Sequence, residues 1–382
     1  MENIKAREEK ITLVATCLFG LEGMLGEEID ALGYKRIETI DGRVTFEGPE
    51  SAIARCNINL RFAERVFILL GKFEAHSFND LFEGTKSLCW EKYVGKKDKF
   101  PVKGHSIKSA LFSIPDCQAI VKKAVVSRLS SKYSQSWFEE TGALYQIEFF
   151  ILNNIASLMI DTSGVALHKR GYRPEALAAP LRETLAAALV KIARPREDVL
   201  LWDPMCGSGT IAIEAAMMMS NIAPGLKRSF VAETFESIDR GAFKRAREEA
   251  YAAIKKTEFE AYASDIDPSA VELTRENCKR AGVVGTVKAF ERNALTITTG
   301  GRRGTIVCNP PYGERLFTRA EADELYKSMG KHFKTLENWQ IYVITSSDDF
   351  ERLYGRRADK VRKLYNGMIK CNYYQFFKKR DK

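Results

Sequence analysis

The 382-residue sequence has no Cys-x-x-Cys pair; its eight cysteines, at 17, 56, 89, 117, 206, 278, 308 and 371, are scattered. That spacing suits neither a zinc cluster nor a disulfide framework, and in a chain this long it reads as reduced, mostly buried thiols in a cytoplasmic protein. Histidine is scarce too: four residues (76, 105, 168, 332), none at metal-ligand spacing, argue against a zinc or iron–sulfur enzyme, and no metal is expected. No apolar run approaches the ~20 residues of a membrane span. The best, Ile11 to Leu21, is broken by Thr12, Thr16 and Gly20. Glu2, Glu8 and Glu9 replace the basic start of a secretory signal. Internal repeats and low-complexity linkers are missing as well.

Apolar residues make up 45% and charged residues 29%, a globular balance that excludes extensive disorder. The length is about two or three times a typical domain, so more than one core is expected. Lys and Arg total 59 against 50 Asp and Glu, a net charge of +9. Such a surplus suits a polyanionic partner, because cationic side chains that bind phosphates release counterions.

Residues 11–17 read as a strand and Leu21 to Leu32 as a helix that Gly33 stops. Gly42 to Gly48 is a second strand, Ser51 to Cys56 opens a helix, and Val66 to Leu70 is a third strand. This βαβαβ order predicts a small α+β unit over 1–68 with its helices on one face of a sheet. Residues 69–165 are basic and less regular. They hold an amphipathic helix from Gln118 to Leu129, then strands Tyr145 to Ile151 and Ile155 to Asp161 about an Asn153-Asn154 turn. Lys103, Lys108, Lys122, Lys123, Arg128 and Lys132 form either one basic surface or an ordinary solvated face.

Strands and helices alternate from Leu181 onward, which predicts a mainly parallel, doubly wound α/β sheet over 166–382. The strands fall at 199–203, 259–265, 285–290, 305–308 and 340–345, the helices at 181–192, 210–219, 268–281 and 320–336. Val361 to Tyr365 and Lys370 to Phe377, joined at Asn366-Gly367, close the sheet with an antiparallel hairpin. Residues 356–382 carry ten Lys/Arg against two Asp/Glu.

The chemistry is concentrated at three strand ends. Asp203-Pro-Met-Cys-Gly-Ser-Gly-Thr210 closes the first strand of this sheet and opens a helix, where ligands bind in doubly wound folds. Gly207 and Gly209 let backbone approach a ligand closely, and Asp203 places a carboxylate where a cationic group could be received. By itself the glycine pattern also fits a dinucleotide site or a bare turn. Asp265, ending the next strand, is placed to hold ribose hydroxyls, while Asp267 caps the helix begun by Pro268. Arg292-Asn-Ala294 follows the third strand, and the Asn293 amide there is either an adenine contact or a turn residue. The third element is Asn309-Pro-Pro-Tyr312. An amino group on a heterocycle is a poor nucleophile because the ring delocalises its lone pair. The Asn309 amide oxygen and the Pro310 carbonyl can accept its two N–H bonds and localise that pair. Pro311 stiffens the loop further, and Tyr312 offers a face for stacking a base.

Together these three motifs resemble the class I S-adenosylmethionine-dependent amino-methyltransferases. Ile160-Asp-Thr-Ser-Gly164, Leu167-His-Lys-Arg-Gly-Tyr-Arg173, Ala179-Pro-Leu-Arg-Glu-Thr184 and Asn309-Pro-Pro-Tyr-Gly-Glu-Arg-Leu316 narrow the resemblance. The sequence is similar to THUMP-containing guanine-N2 methyltransferases of bacterial 23S ribosomal RNA over nearly its whole length. The resemblance implies an N-terminal ferredoxin-like domain (1–68), a THUMP RNA-binding domain (69–165) and a Rossmann-like methyltransferase domain (166–382). It implies that Asp203, Pro204, Cys206, Gly207, Ser208 and Gly209 line the methionine end of S-adenosyl-L-methionine. Asp265 and Ile266 would hold the ribose side, and Asn293 and Ala294 the adenine. Many relatives in the wider class carry Asp where Asn293 stands. Asn309, Pro310, Pro311 and Tyr312 would form the catalytic loop. Lys122, Lys123, Arg128, Arg170 and Arg173 are expected to contact RNA, the last two alternatively bracing the domain junction or belonging to a structural loop.

The expected reaction is methyl transfer to the exocyclic N2 of a guanosine in 23S ribosomal RNA. Rival readings are transfer to tRNA guanine or to adenine N6, and an RNA-binding assembly factor without catalysis. A covalent cysteine mechanism is disfavoured because Cys308 precedes Asn309 and points into the core.

Overall fold

The computed structural model describes residues 10–174, 181–313 and 318–377; the acidic start and motif positions 179–180 and 314–316 lie outside the described residues. In chain order the first elements are β1 (Lys10–Cys17), α1 (Glu22–Ala31), β2 (Lys35–Ile40), β3 (Arg43–Pro49), α2 (Ala52–Asn59) and β4 (Ala63–Glu74). Next come α3 (Phe78–Ser87), β5 (Val102–Ile107), α4 (Ile114–Tyr133), β6 (Ile147–Leu152) and β7 (Ile155–Asp161). Then follow α5 (Glu183–Ala193), β8 (Leu200–Asp203), α6 (Thr210–Met219), α7 (Ala242–Ala252), β9 (Ala261–Asp265), α8 (Pro268–Ala281) and β10 (Val287–Glu291). The last are β11 (Gly304–Cys308), α9 (Arg319–Phe333), β12 (Trp339–Thr345), α10 (Phe350–Tyr354), β13 (Lys360–Asn366) and β14 (Ile369–Phe376). Two units result: residues up to 17 with 25–167 and 229–249, and residues 18–24 with 168–228 and 250 onward.

The first unit is built on one seven-stranded sheet, ordered β2-β3-β1-β4-β7-β6-β5. Neighbours are antiparallel except β5 and β6, which are parallel. β4 pairs with β1 over residues 63–68 and with β7 over 67–74, so a single strand carries the sheet through. β2 and β5 are additions to the strands expected from sequence. Both are edge strands, and the exposed Lys35, Arg36, Glu38, Lys103 and His105 leave them no apolar alternation to read. α3 was also unmarked, although Ser77 and Asp80 cap its start reciprocally. The Asn153-Asn154 turn forms as expected, both residues left-handed (φ 50° and 64°).

The Ile160–Gly164 motif closes this sheet. Thr162 donates to Val66 O at 2.6 Å, Ser163 Oγ accepts from Val66 N at 2.9 Å, and Ser163 donates to Asn57 Oδ1 at 2.6 Å. Asn57 in turn donates to Ile53 O and Thr162 Oγ1, each at 2.9 Å. Asp161 pairs with Arg65, which also reaches Gly164 O at 2.6 Å. Asn57, Asp161, Thr162 and Ser163 are buried, so a missing partner leaves an unsatisfied donor or acceptor. Asn57→Ala is therefore expected to destabilise the protein by about 1–3 kcal/mol, read as a lower urea midpoint.

Residues 229–249 belong to this first unit although they come after α6. Phe235 stacks on Tyr145 with ring centroids 3.9 Å apart, Ala232 N donates to Thr162 O at 3.2 Å, and Arg55 pairs with Glu249 at 3.1 Å.

The second unit has the sheet order β10-β9-β8-β11-β12-β14-β13, parallel through β12, with β14 antiparallel to both neighbours. This is the doubly wound arrangement with an antiparallel close that the alternation predicted. Trp202, Ile306, Tyr326, Trp339 and Phe350 pack into one core on it. α6 and α8 begin and end where their sequence signals placed them, α8 between a cap by Asp267 and a left-handed Gly282. The closing turn is displaced by one residue. Asn366 pairs with Ile369, so Gly367-Met368 is the two-residue loop, and left-handed Gly367 takes its first central position.

Candidate active site

β8 and β11 are adjacent and parallel, with Ile306 opposite Trp202, so their carboxyl ends open on one side. β8 ends at Asp203, and Asn309 directly follows β11. The chain winds outward in opposite directions from these two strands, the place where such sheets bind ligands.

Residues 204–209 turn from β8 into α6 with Gly207 and Gly209 left-handed (φ 50° and 79°). A Cβ on Gly209 would stand 2.6 Å from Thr274 Cγ2 of α8, closer than any side chain allows. Two buried polar residues of α8 clamp the loop. Thr274 donates to Gly207 O and Asn277 to Ser208 O, each at 2.9 Å. Asp265 accepts from Gly207 N at 2.9 Å and Asp267 N at 3.2 Å, tying the ends of β8 and β9 together. Pro204, Cys206, Ser208 and Ala294 are buried. Ile266 is 60% exposed beside Asp265. Asn293 accepts from Leu295 N at 2.9 Å, so its oxygen caps the short turn that follows.

Asp203 is the electrostatic anomaly of the site. It is 2% exposed, and the hydrogen bond recorded to it among the described residues comes from Met205 N at 3.4 Å. Burial pushes its carboxyl up to about 8, Met205 N opposing and the Asp265 charge adding. A buried carboxylate with so little compensation fits a cationic ligand group, the kind a sulfonium cofactor carries. Burial likewise raises the thiols of Cys206 and Cys308 well above their ordinary range, so neither is a nucleophile at neutral pH.

The loop after β11 is held from beneath. Tyr326 of α9 donates to Pro311 O at 2.8 Å and lies 3.0 Å from Thr345 Oγ1, which accepts from Ser347 N at 3.1 Å. Tyr312 donates its phenol to Asn309 Oδ1, and Cys371 of β14 approaches that phenol at 3.8 Å. Pro310 is buried, whereas Asn309, Pro311 and Tyr312 are half-buried.

A family model described as an RMKL-like methyltransferase domain matches residues 170–375, more than half of the chain. The chain belongs to the RMKL-like methyltransferase family. Models of the RlmL ferredoxin-like domain and the THUMP domain match residues 12–67 and 75–161. This methyltransferase is 44% identical over 377 residues, 97% of each chain, to a Bacillus subtilis protein named “Putative RNA methyltransferase YpsC”. It is 34% identical over 361 residues to ribosomal RNA large subunit methyltransferase K/L of Aliivibrio fischeri, covering 92% of this chain and 51% of that relative. The chain thus spans about half the length of the K/L relatives it matches. The structure of SMU.472 complexed with SAH, at 39% identity and a TM-score of 0.90, covers 98% of this chain and all of that one (100%). S-adenosyl-L-methionine is the cofactor of this methyltransferase.

Four of its five expected RNA contacts are engaged internally. Arg170 is 3% exposed and pairs with Glu214 at 3.5 Å. Arg173 pairs with Glu183 at 3.0 Å and donates to Leu181 O and Thr210 Oγ1, which braces the start of α6. Both belong to a loop-bracing network, and their burial corrects the RNA assignment. Lys122 pairs with Glu140 at 2.6 Å over the Phe100 ring, and Arg128 grips Glu91 with two hydrogen bonds. That grip holds the Glu91 carboxyl down to about 2. Lys123 remains exposed beside Phe82. Residues overlooked in the sequence include Thr274, Asn277 and Glu214. Each is a polar residue on a helix face otherwise lined by buried apolar side chains, which is the signal that could have found it.

Proposed function

We propose that this methyltransferase acts on the exocyclic N2 of a guanosine in 23S ribosomal RNA. The observation that carries the reading is the juxtaposition of a buried, weakly compensated Asp203 with Asn309-Pro-Pro-Tyr312 at the ends of adjacent strands. The names of the B. subtilis and A. fischeri relatives support RNA as the acceptor. Asp203 receives the cationic end of the cofactor, with Pro204, Cys206, Gly207, Ser208 and Gly209 forming the backbone wall around it. Asp265 and Ile266 hold the ribose side, and Asn293 and Ala294 flank the adenine. Bound S-adenosylmethionine supplies a methyl on a sulfonium leaving group.

Asn309 Oδ1 and Pro310 O accept the two N–H bonds of the guanine amine and aim its lone pair in line. The entering base takes the acceptor that Tyr312 occupies, which releases the Tyr312 ring to stack on it. An N–C bond forms, the S–C bond breaks, and the proton shed by nitrogen passes to water. If paired, the target must leave its helix at a cost of a few kcal/mol, which phosphate contacts offset. The ferredoxin-like segment (1–68) and THUMP segment (69–165) select the RNA by shape, and the catalytic domain (166–382) selects the base.

Mass spectrometry of nucleosides from ribosomal and transfer RNA of a deletion strain tests this reading. The expected result is loss of one N2-methylguanosine from 23S RNA. Loss from tRNA, loss of N6-methyladenosine, or no change in any RNA would overturn it.

A further inference from the structure

Lys122 and Arg128 are engaged in internal pairs, and a second concentration of positive charge in the first unit lies in residues 92–108, which hold six lysines and one acidic residue. That one, Asp98, is 9% exposed and accepts from Gly95 N at 2.8 Å and Ala143 N at 3.0 Å. Lys96, Lys97 and Lys99 are exposed on this segment. Against it lies the loop 134–144: Gln135 donates to Lys96 O at 3.2 Å, Gly142 N to Lys97 O at 2.7 Å, and Lys99 N to Ala143 O at 2.8 Å.

The loop is built rather than slack. Ser134 and Glu140, both left-handed (φ 54° and 51°), bracket it. Phe138 is buried edge-on against Phe100 at 5.6 Å, and Glu140 accepts from Phe100 N at 3.1 Å. The residue before that anchor, Trp137, is 79% exposed. The other three tryptophans are at most 3% exposed, so this indole is set outward by a fixed frame in a chain that buries every other one.

A large, exposed amphipathic ring on a loop hydrogen-bonded to a segment that exposes three lysines matches the pattern by which proteins hold single-stranded nucleic acid: bases stack on the ring while cations follow the phosphates. We propose that Trp137 is a stacking platform for an unpaired RNA base, with Lys96, Lys97 and Lys99 holding the adjoining phosphates. The platform rests on the RNA reading above and places a substrate contact away from the methyl-transfer chemistry. An apolar protein partner would gain nothing from the lysines, and charge complementarity decides for RNA.

Trp137 supplies its own probe, because buried Trp90, Trp202 and Trp339 are shielded from quenching. Full-length protein is titrated with a short single-stranded oligoribonucleotide, and separately with its duplex, while tryptophan emission is followed. The single strand is expected to quench emission, with the duplex much weaker. By a label-free binding assay, Trp137→Ala should lose roughly 5- to 150-fold in affinity, the span of base–aromatic stacking, and Trp137→Phe should keep most of it. Phe112 is 81% exposed before the opposite end of α4, about 30 Å away along the helix, and Phe112→Ala should bind as the parent does. Unchanged affinity in Trp137→Ala, equal quenching by the duplex, or an equal loss in Phe112→Ala would overturn the platform. Transfer of labelled methyl to ribosomal RNA by the parent separates the two levels. No transfer to any RNA removes the functional reading and the platform with it, whereas transfer alongside unchanged Trp137→Ala binding removes the platform alone.

Discussion

Asp203→Asn should make the ligand-free protein more stable while removing its affinity for S-adenosylmethionine. The Asp203 carboxyl is pushed up to about 8 by burial, against about 3.9 for the same group in an unfolded chain. The folded state therefore holds a proton that the unfolded state has already released. Stability from this group is fully present below about pH 4, falls as pH rises, and is lost above about 8. Each unit of displacement corresponds to roughly 1.4 kcal/mol, so the full effect is on the order of several kcal/mol. An amide of the same shape carries no such charge, so the variant should melt several degrees higher at pH 8 and show a flatter pH dependence between 4 and 8. A cationic ligand needs the carboxylate, so parental affinity should rise with pH up to about 8. Binding at pH 7 should then release close to one proton, measured by calorimetry in buffers of different ionisation enthalpy. The variant should lose about 100-fold or more in affinity, as for an isolated buried charge deprived of its partner. A variant that binds the cofactor as tightly as the parent would remove Asp203 from the site.

The second large effect is kinetic. Asn309→Ala removes the side-chain acceptor that orders the amine and leaves Asp203, the glycine loop and the α8 clamp untouched. Turnover should fall by about 10²–10³, the range for deleting one preorganised hydrogen-bonding group, while the cofactor dissociation constant stays within about twofold. Single-turnover methylation and calorimetry on the same preparation separate the two quantities. Comparable loss in both would mean that Asn309 supports the cofactor pocket rather than the acceptor base. Pro311 and Tyr326 remain hydrogen-bonded in the variant, so the loop has an independent reason to keep its shape.

The parts legible in the sequence are those whose signal is local. α8 is announced by Asp267, Pro268 and Gly282, and its apolar period runs through Ala270, Val271, Cys278 and Ala281. Asp203, Asp265 and Asn309 were legible because the first two end a short strand and the third directly follows one, and in a doubly wound sheet strand ends are where ligands bind. Edge strands were not legible: β2 is exposed on both faces, and such a strand is defined by the hydrogen bonds of its neighbour, not by its own residues. Helical spacing put Lys122 and Arg128 on the polar side of α4. It contained no information about Glu140 or Glu91, which reach them from 18 and 37 residues away.

The sequence alone determined the order of elements, the three motif-bearing strand ends and the chemistry those residue types allow, because propensity, turn preference and side-chain chemistry act over a few neighbouring positions. Tertiary structure alone decided which charges are already paired, why Asp203 holds its proton, how Thr274 and Asn277 brace a loop some 70 residues earlier, and that residues 229–249 fold with the first unit. Burial and ion pairing depend on what the rest of the chain brings within a few ångströms, and no local pattern encodes that.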